Sequence, residues 1–529
     1  MAPKVLVVGW DSATFDIIDP MLAAGRLPAL RSLIDRGYRA GLRSTWPPMT
    51  DCAWTTAFTG RNPGAHGIFG SWYRAPGSYS CRYFSSRDRR APALWEMTEN
   101  TKHLVWNVPM TFPATTVPGV MVAGYGAPPG ASITEPAGFQ NELNAAFPIE
   151  DLLDRAPHST LEVFRDDLIR GLGVQAEALA WAIDRTEADC VEIVWPHVDR
   201  AQHFFWQFRD SDHRLAGAIE DVYEAMDAAT GHLVDAFKQA TVMIVSDHGA
   251  GPLKGDINVG AWLAEQELAT PGRSQRSAAA EAAWALPPVL RKMGRRLAPG
   301  LARKAMGAKL AGQLGAFDWS TTKAFLGVHS DLWLNLAGRE PQGCVAQADA
   351  GALLDEISAG LLEITDPETG EQVVAAVHRK EEIYSGRALD LAPDLVCDTW
   401  SAGYRMAPGR VPFGPVVIPP APLAGVDVAW SSDHRPVGIF VGAGPGFTHG
   451  SGHELDLFDV CPTTLALLGE AVPEGLDGKP ATVALDAGFL TSTPVTVSAA
   501  LDERDAGGEY SEEEAAAVAE HLKDLGYIE

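Results

Sequence analysis

A carboxylate and an imidazole stand side by side at Asp247 and His248, one residue after the short apolar run Thr241–Val245. A short run rich in β-branched residues is typical of a strand buried on both faces of a parallel sheet. In open α/β sheets, functional groups collect just beyond the carboxyl ends of the strands. Because Gly249 lets the backbone turn sharply, both side chains can bind one divalent cation. The pair therefore predicts a metal site, and the alternative is a strand that ends in a polar turn.

The same arrangement recurs at two other apolar runs. Asp11 follows the run Val5–Trp10, and Asp199 follows the run Cys190–Trp195. His203 comes four residues after Asp199, so the two side chains would share one face of a helix. An exposed surface pair would have the same spacing. The recurrence nevertheless favours a common site at one edge of a sheet.

A third imidazole is needed to complete the set, and His434 is the candidate because it lies just before the apolar run 437–442. Single histidines in polar loops usually face solvent, and spacing alone does not choose between His434 and its competitors, which are His66, His197, His449 and His453. Three carboxylates and three imidazoles are what two tetrahedral cation sites require. The predicted ligands are Asp11, Asp199, His203, Asp247, His248 and His434.

Thr50 adds a hydroxyl at a predicted helix N-terminus to this inventory. Pro47 and Pro48 prevent a helix before Met49, whereas the stretch after Thr50 is free to be helical, so Thr50 is a predicted N-cap. A helix N-terminus presents bare N–H groups to an anion. A cation would lower the pKa of the hydroxyl enough for attack on phosphorus, and two cations about 3.5–4 Å apart can clamp the attacking and leaving oxygens. The alternative role for Thr50 is a plain helix cap.

Strand-like and helical segments alternate along the chain, which favours a doubly wound, mostly parallel α/β sheet with helices on both faces. Helices are predicted over 28–36, 161–185, 353–362 and 457–469, and after a capping box that starts at Ser511. Further strands are predicted over 104–108, 117–122 and 324–336. The predicted organisation is a catalytic core over 1–270 with an insertion at about 80–165, a helical insertion or lid over 271–316, the rest of the core over 317–485, and a tail with a helix over 486–529.

The net charge of the chain limits the classes of molecule that it is expected to bind. The chain has 529 residues, a formal net charge of −26 and 46% hydrophobic residues. This charge disfavours DNA or RNA, because nothing would offset phosphate repulsion over a long polyanion. It does not disfavour a small phosphorylated substrate, because bound cations can reverse the sign locally.

The distribution of cysteines and of apolar residues gives a prediction of the cellular location. The six cysteines are scattered without a CxxC pair, so metal–thiolate sites and a disulfide framework are not expected. The N-terminal apolar run is too short for a secretory signal, and no apolar run is long enough to span a membrane. A cytoplasmic location is therefore predicted.

The segment 271–312 differs from the rest of this acidic chain. It is rich in alanine and carries nine lysines and arginines against one acidic residue, Glu281. Such a block could be a lid over an anionic substrate, a patch for peripheral contact with a membrane surface, or a solvated helical insertion.

The stretch 50–60, TDCAWTTAFTG, followed by Pro63 and by HGI at 66–68, resembles the nucleophile segment of the type I phosphodiesterase/nucleotide pyrophosphatase family of the alkaline phosphatase superfamily. The metal motifs occur in the family's order as VGWD at 8–11, Asp199 with His203, and SDHG at 246–249. Further pieces are similar to bacterial members, and the resemblance covers essentially the whole chain. These are NVP at 107–109, DW at 318–319, TTKA at 321–324, GRE at 338–340, PD at 393–394, DHR at 433–435, PTTL at 462–465 and LGYIE at 525–529.

The resemblance implies an alkaline-phosphatase-like fold and two divalent metal ions, with Zn²⁺ expected and Mn²⁺ or Fe as alternatives. Thr50 would be the nucleophile and form a phospho-threonine intermediate. His434 is preferred over His449 as the last ligand. One metal would be bound by Asp199, His203 and His434, and the other by Asp11, Thr50, Asp247 and His248.

One position departs from the family pattern. Nucleotide pyrophosphatases carry an asparagine about twenty residues after the nucleophile that hydrogen-bonds the phosphoryl oxygen, and the equivalent residue here is Ser71. A serine can still donate one hydrogen bond, so Ser71 is a candidate substrate-binding residue with a shorter reach.

The protein is expected to be a metal-dependent hydrolase of small phosphate esters, and diesters are expected as substrates rather than monoesters. The alternatives are a phosphomutase, a phosphonate or phosphomonoester hydrolase, an enzyme acting on lipid headgroups, and a non-catalytic binding protein with the same fold. A sulfatase is disfavoured because Cys52 is not followed by the required proline and arginine. The sequence sets neither the substrate nor the oligomeric state.

Overall fold

The computed structural model describes residues 4–74, 77–79, 81–147, 160–272, 317–327, 330–406, 412–420, 430–452 and 454–521, except 503, 506, 509, 511–513, 516 and 519. Nearly all of the predicted basic segment 271–312 and most of the predicted helix after Ser511 fall outside these residues. Among the described helices, none combines the length and the apolar character that crossing a bilayer requires.

The described part of the chain forms short strands throughout its length. They are β1 Val5–Trp10, β2 Gly37–Arg43, β3 Trp72–Arg74, β4 Cys81–Tyr83, β5 His103–Trp106, β6 Gly119–Val122, β7 Thr134–Glu135, β8 Cys190–Trp195, β9 Thr241–Val245, β10 Gly249–Pro252, β11 Gly255–Ile257, β12 Ala324–Leu326, β13 Asp331–Leu334, β14 Ala376–Arg379, β15 Leu395–Asp398, β16 Tyr404–Met406, β17 Val417–Ile418, β18 Ser432–Arg435, β19 Val437–Ala443, β20 Gly450–Ser451, β21 Leu455–Asp456, β22 Val472–Pro473 and β23 Val497–Ser498.

Ten of these strands build the central sheet, in the order β20–β2–β19–β9–β1–β8–β5–β6–β7, with β21 also paired to β2. The strands β9, β1, β8, β5 and β6 run parallel to one another, while β19 is antiparallel to both β2 and β9, and β7 is antiparallel to β6. Every residue of β1, β8 and β9 is buried, as expected for strands covered on both faces. The predicted mostly parallel α/β fold is therefore confirmed.

The described helices are α1 Phe15–Ala23, α2 Pro28–Asp35, α3 Thr50–Thr59, α4 Pro63–His66, α5 Gly138–Ala146, α6 Leu161–Thr186, α7 His197–Phe205, α8 Ala218–Ala236, α9 Val259–Glu265, α10 Ala350–Leu362, α11 Lys380–Ile383, α12 Val460–Leu468 and α13 Ala487–Ser492. Of these, α2, α6 and α12 pack against strands of the central sheet, whereas α9 and α10 contribute to the core of a smaller unit. The predicted helices over 28–36, 161–185, 353–362 and 457–469 correspond to α2, α6, α10 and α12, with boundaries that differ by one to three residues.

Two local predictions are wrong. Thr50 is not an N-cap: Met49 has the extended cap conformation, and Thr50 is the first residue of α3. His434 does not lie in a loop but in strand β18, where it pairs with Ala250 of β10. The run before Val437 is polar, and polar residues weaken a sequence-based strand prediction even where a long-range partner supplies the hydrogen bonds.

The segment 80–165, predicted to be an insertion, contributes β5, β6 and β7 to one side of the central sheet. Conversely, the region 317–418 contains a separate four-stranded sheet, β12–β13–β15–β14, and two strands that pair with β11. Its own hydrophobic core includes Leu263, Leu334, Leu361 and Leu395. The chain returns to the central sheet only at β19, so this smaller unit lies between two parts of the main one.

Gly9 sets the spacing between β1 and α3. A Cβ atom at this position would lie 2.5 Å from Cη2 of Trp54 and 2.9 Å from Cγ2 of Val194. Because overpacking of a buried site costs about 1–3 kcal/mol, we expect Gly9→Ala to lower the free energy of unfolding by about that amount in urea titrations. Gly173→Ala is the control, since this helical glycine is exposed and its Cβ would meet no atom within 4 Å. Equal stability of both variants would contradict the packing argument.

Candidate functional site

Six buried acids and imidazoles form two groups at the carboxyl edge of the central sheet. One group contains Asp199, His203 and His434, and the other contains Asp11, Asp247 and His248. Within each group, one potential ligand atom from each residue lies within 4.8 Å of the others. The six side chains are between 0% and 6% exposed.

The first group is assembled by helix α7 and strand β18. Asp199 and His203 are one helical turn apart on α7, and Nε2 of His203 lies 3.0 Å from Oδ1 of Asp199. His434 reaches the same carboxylate from β18, with its Nε2 atom 3.8 Å from Oδ1 of Asp199. The predicted helical pair thus lies in the interior, and a residue more than 200 positions later completes the group.

The second group follows from the pairing of β1 with β9. These neighbours are parallel, with Gly9 opposite Val245, so Asp11 and Asp247 emerge from adjacent strand ends. Nε2 of His248 lies 3.1 Å from Oδ2 of Asp247 and 3.8 Å from Oδ1 of Asp11. Asp11 is oriented by the indole of Trp54, whose Nε1 donates to Oδ2 at 3.0 Å.

The two groups are neighbours. The rings of His248 and His434 are stacked, with centroids 3.7 Å apart and an interplanar angle of 18°. The arrangement therefore places two sets of candidate ligands side by side.

The hydrogen bonds of the histidines indicate which ring nitrogen is free. Nδ1 of His203, His248 and His434 lies 3.0, 3.1 and 2.7 Å from the carbonyl oxygens of Ser432, Gly249 and Pro48, respectively. A carbonyl only accepts, so Nδ1 carries the proton, and a neutral ring then presents a lone pair at Nε2. Burial, together with the neighbouring His248, lowers the pKa of His434 well below its usual value, which keeps this ring neutral.

Each Nε2 lone pair faces a carboxylate oxygen, an arrangement that a cation between them would stabilise. Oδ1 of Asp199 and Oδ2 of Asp247 are buried, and the Nε2 atoms of His203 and His248 lie 3.0 and 3.1 Å from them. A tetrahedral cation with ligands at about 2.0–2.2 Å separates its ligand atoms by about 3.3–3.6 Å. The nitrogen–oxygen distances of 3.0–3.8 Å bracket this spacing. The residues of both groups therefore fit divalent metal ions.

Thr50 lies beside the second group. Its Oγ1 atom is 3.4 Å from Nε2 of His248, and the residue is 9% exposed. As the first residue of α3 it stands at the helix end, where the first backbone hydrogen bond runs from Ala53 N to Met49 O. The N–H groups of residues 50–52 precede this bond and are the helix's unsatisfied donors.

A cleft of about 160 Å³ opens at this point. Thr50, Ser71, His203 and His434 line it, and so do several large side chains, namely Met49, Tyr83, Phe84, Met110, Phe112, Tyr125, Trp400, Met406, Trp430 and Tyr510. The predicted substrate-binding residue Ser71 is thus in the wall. The lining comes from the central sheet, the smaller unit and the C-terminal segment.

Asp51 also lines the cleft and was not a predicted site residue, although it directly follows Thr50. Burial raises the pKa of Asp51 to about 6, and the nearby Asp247 adds to this rise while the side chain of Ser71 opposes it. Because Asp51 directly follows Thr50 in the sequence, it could have been predicted to lie close to the site.

Three of the four competing histidines lie in the described part of the chain, and none of these three belongs to either group. His66 is buried, but its Nε2 atom lies 2.9 Å from the hydroxyl oxygen of Thr56. His197 is buried, and burial together with Arg200 lowers its pKa to about 3. His449 is exposed, and His453 lies outside the described residues. Of the five candidates for the third imidazole, the structure brings His434 to the other ligands.

Comparison with known proteins gives one family match. The family model described as type I phosphodiesterase / nucleotide pyrophosphatase matches residues 5–409. No curated protein sequence matches the chain. Among solved structures, human ectonucleotide pyrophosphatase/phosphodiesterase 5 is similar at 13% identity and a TM-score of 0.49, over 92% of this chain and 100% of that one. The murine protein, in an inactive form in complex with AMP, is similar at 13% identity and a TM-score of 0.48, over 92% of this chain and 100% of that one.

Proposed function

The chain belongs to the type I phosphodiesterase / nucleotide pyrophosphatase family and is a hydrolase of phosphate ester bonds, and we propose that it is a two-metal phosphodiesterase whose nucleophile is Thr50. The observation that carries the proposal is the position of the Thr50 hydroxyl, 3.4 Å from Nε2 of His248 and beside two neighbouring sets of buried ligands. A hydroxyl with no such neighbours would be a poor nucleophile at neutral pH.

The two metal ions would be held by the two groups. Asp199, His203 and His434 would bind one, and Asp11, Asp247 and His248 would bind the other, with Thr50 as a further ligand. A mixed set of imidazole and carboxylate ligands suits zinc, and also manganese or iron. When bound, the two cations would lower the pKa of the Thr50 hydroxyl and stabilise the negative charge that develops on the phosphoryl oxygens.

The reaction would proceed in two displacements. The Thr50 hydroxyl gives its proton to water and Oγ1 attacks phosphorus, so that a new P–O bond forms as the bond to the leaving alcohol breaks, with water supplying the proton that the alcohol takes up. Water then attacks the phospho-threonine, and the bond between phosphorus and Oγ1 breaks. The Thr50 hydroxyl recovers its proton, and the phosphate monoester leaves.

Helix α3 contributes to binding the phosphoryl group. Its N-terminus carries the positive end of the helix dipole and the unsatisfied N–H groups of residues 50–52, which suit an anion. The backbone that presents the nucleophile therefore also attracts the group it attacks. Backbone donors of this kind are oriented before the substrate arrives, which favours stabilisation of the transition state.

Metal removal tests this proposal. The purified protein is expected to contain about two zinc, manganese or iron ions per chain by elemental analysis. Treatment with a chelator is expected to abolish hydrolysis of bis(p-nitrophenyl) phosphate and to lower Tm by roughly 5–10 °C, because ligands that bind only the folded state stabilise it. Adding back one metal at a time identifies the active ion.

The same experiment separates the proposal from a non-catalytic binding protein. Such a protein would show no metal-dependent turnover, whatever metal it contained. Full activity of a metal-free sample would rule out the two-metal mechanism, and a Tm unaffected by the chelator would show that the buried groups hold no metal.

A further inference from the structure

The C-terminal segment of the chain supplies part of the cleft wall. Tyr510 and Val518 line the cleft together with Thr50. Both residues lie beyond residue 409, where the match to the family model ends. Val518 is 4% exposed and belongs to the main hydrophobic core, against which Tyr510 packs. A segment that is remote in sequence is therefore built into the space beside the proposed nucleophile.

Hydrogen bonds and an ion pair hold this segment in place. The backbone N–H of Arg504 donates to the carbonyl oxygen of Arg90 at 2.7 Å, and its Nη1 atom lies 2.7 Å from Oε1 of Glu96. The hydroxyl of Tyr510 donates to the carbonyl oxygen of Phe112 at 3.2 Å, and the centroids of the two rings are 6.3 Å apart. Because Phe112 also lines the cleft, the two residues together form an aromatic part of its wall.

Most of the lining away from the candidate metal ligands is apolar or aromatic. Further examples are Met110, Trp400 and Met406. Among the described lining residues, Arg405 carries the only guanidinium or ammonium group, and its Nη2 atom lies 2.8 Å from Oδ1 of Asp256. Apolar surface stabilises a bound apolar group in proportion to the area that is removed from water. The lining therefore favours an uncharged apolar substituent over one that carries a second phosphate group.

The volume of the cleft limits the size of the substituent. This volume is about 160 Å³, and an apolar cavity of about 150 Å³ in another protein binds benzene. A nucleoside carries a sugar in addition to a base and needs more room. Its polar atoms also lose hydrogen bonds to water at an apolar wall, which costs free energy unless they find new partners. A group of about one ring therefore fits this space better.

We propose that the cleft selects phosphate diesters in which one alcohol is a compact, uncharged, apolar group of about one ring, with Tyr510 as a specificity-determining residue for this group. The inference rests on the proposed function, in which the phosphoryl group lies against Thr50 and one of its substituents extends into the cleft. Aromatic pairs contribute more than the area that they bury. An aromatic alcohol is therefore the substituent that gains most from Tyr510 and Phe112.

Three p-nitrophenyl diesters test the inference in the wild-type protein. They share the leaving group and a single negative charge, and their second alcohol is phenol, methanol or the 5′-hydroxyl of thymidine. We expect kcat/KM for the phenyl ester to exceed that for the methyl ester by about 10- to 100-fold, because only the phenyl ring buries a large apolar area. The value for the phenyl ester should also exceed that for the thymidine ester.

Variants of the wall locate the selection. Tyr510→Ala is expected to lower the phenyl-to-methyl ratio of kcat/KM by about 3- to 10-fold, with the metal content of the wild type by elemental analysis. Tyr510→Phe keeps the ring and should keep the ratio. Met110→Ala removes a different lining side chain and should lower the ratio as well. Leu501→Ala is the matched control with an unchanged ratio, because Leu501 belongs to the same segment but is exposed and does not line the cleft.

The outcomes that overturn the inference are distinct from failure of the proposed function. A phenyl-to-methyl ratio near one in the wild type would overturn it, and so would a thymidine ester that is the best of the three substrates. An unchanged ratio in folded Tyr510→Ala and Met110→Ala would do the same. Thr50→Ala tests the proposed function separately: wild-type turnover of the phenyl ester would remove Thr50 as the nucleophile, while a lowered ratio in Tyr510→Ala would still support selection of the alcohol by the cleft.

Discussion

Thr50→Ala is expected to lower kcat for phosphodiester hydrolysis by at least about a thousandfold, because the variant lacks the atom that forms the covalent intermediate. The lost hydroxyl lies 3.4 Å from Nε2 of His248, and removing this single contact should leave the protein folded. The measurement is single-turnover and steady-state hydrolysis of bis(p-nitrophenyl) phosphate, with circular dichroism and Tm as checks of structure. Acid-quenched wild-type enzyme should carry phosphate on Thr50, and the variant should carry none.

Thr59→Ala is the matched control for this experiment. Thr59 lies on the same helix and is fully buried, but its hydroxyl donates to the carbonyl oxygen of Thr55 and is not in the cleft. Its loss should lower stability by about 1 kcal/mol and leave kcat unchanged. Thr50→Ser should retain part of the activity, because it keeps an oxygen at the same position. Wild-type turnover in Thr50→Ala would remove this residue from the mechanism.

His434→Ala is expected to lose one metal ion per chain and at least about a hundredfold in kcat. The variant leaves Asp199 and His203 as the only members of their group, and two ligands hold a divalent ion far more weakly than three. Metal content by elemental analysis is the primary readout, since it does not depend on turnover. The second group should retain its ion, so the expected stoichiometry falls from about two to about one.

His449→Ala is the control, because His449 is exposed whereas His434 is 6% exposed and lies against the other ligands. It should keep both metal ions and full activity. The reverse pattern, with metal lost on changing His449, would show that the wrong histidine has been assigned to the site. His434→Gln offers a second test with a smaller change in buried volume, and the same loss of metal is expected.

Much of the site could be predicted from local sequence. Asp11 and Asp247 each follow a buried strand, and the carboxyl ends of parallel strands lie at one edge of a sheet, so the sequence predicted that both residues lie at the same edge. The spacing of Asp199 and His203 predicted a shared helix face, and α7 provides it. These predictions depend on the periods of strands and helices, which are local properties of the chain.

Long-range pairing decided the rest. His434 joins the site because β18 pairs with β10 and because β19 lies between β9 and β2, contacts that bridge roughly 200 to 400 positions of sequence. The segment 80–165 likewise joined the central sheet through pairing with β8, and Ser71 and Asp51 came to line the same cleft. The type of a residue and its neighbours in sequence indicate whether a helix or a strand is favoured. The pairing of strands depends instead on how the whole hydrophobic core is buried. The sequence by itself thus predicted the class of chemistry and five of the six buried candidate ligands, while the tertiary structure brought His434 to the other five and placed Asp51 in the same cleft as Thr50.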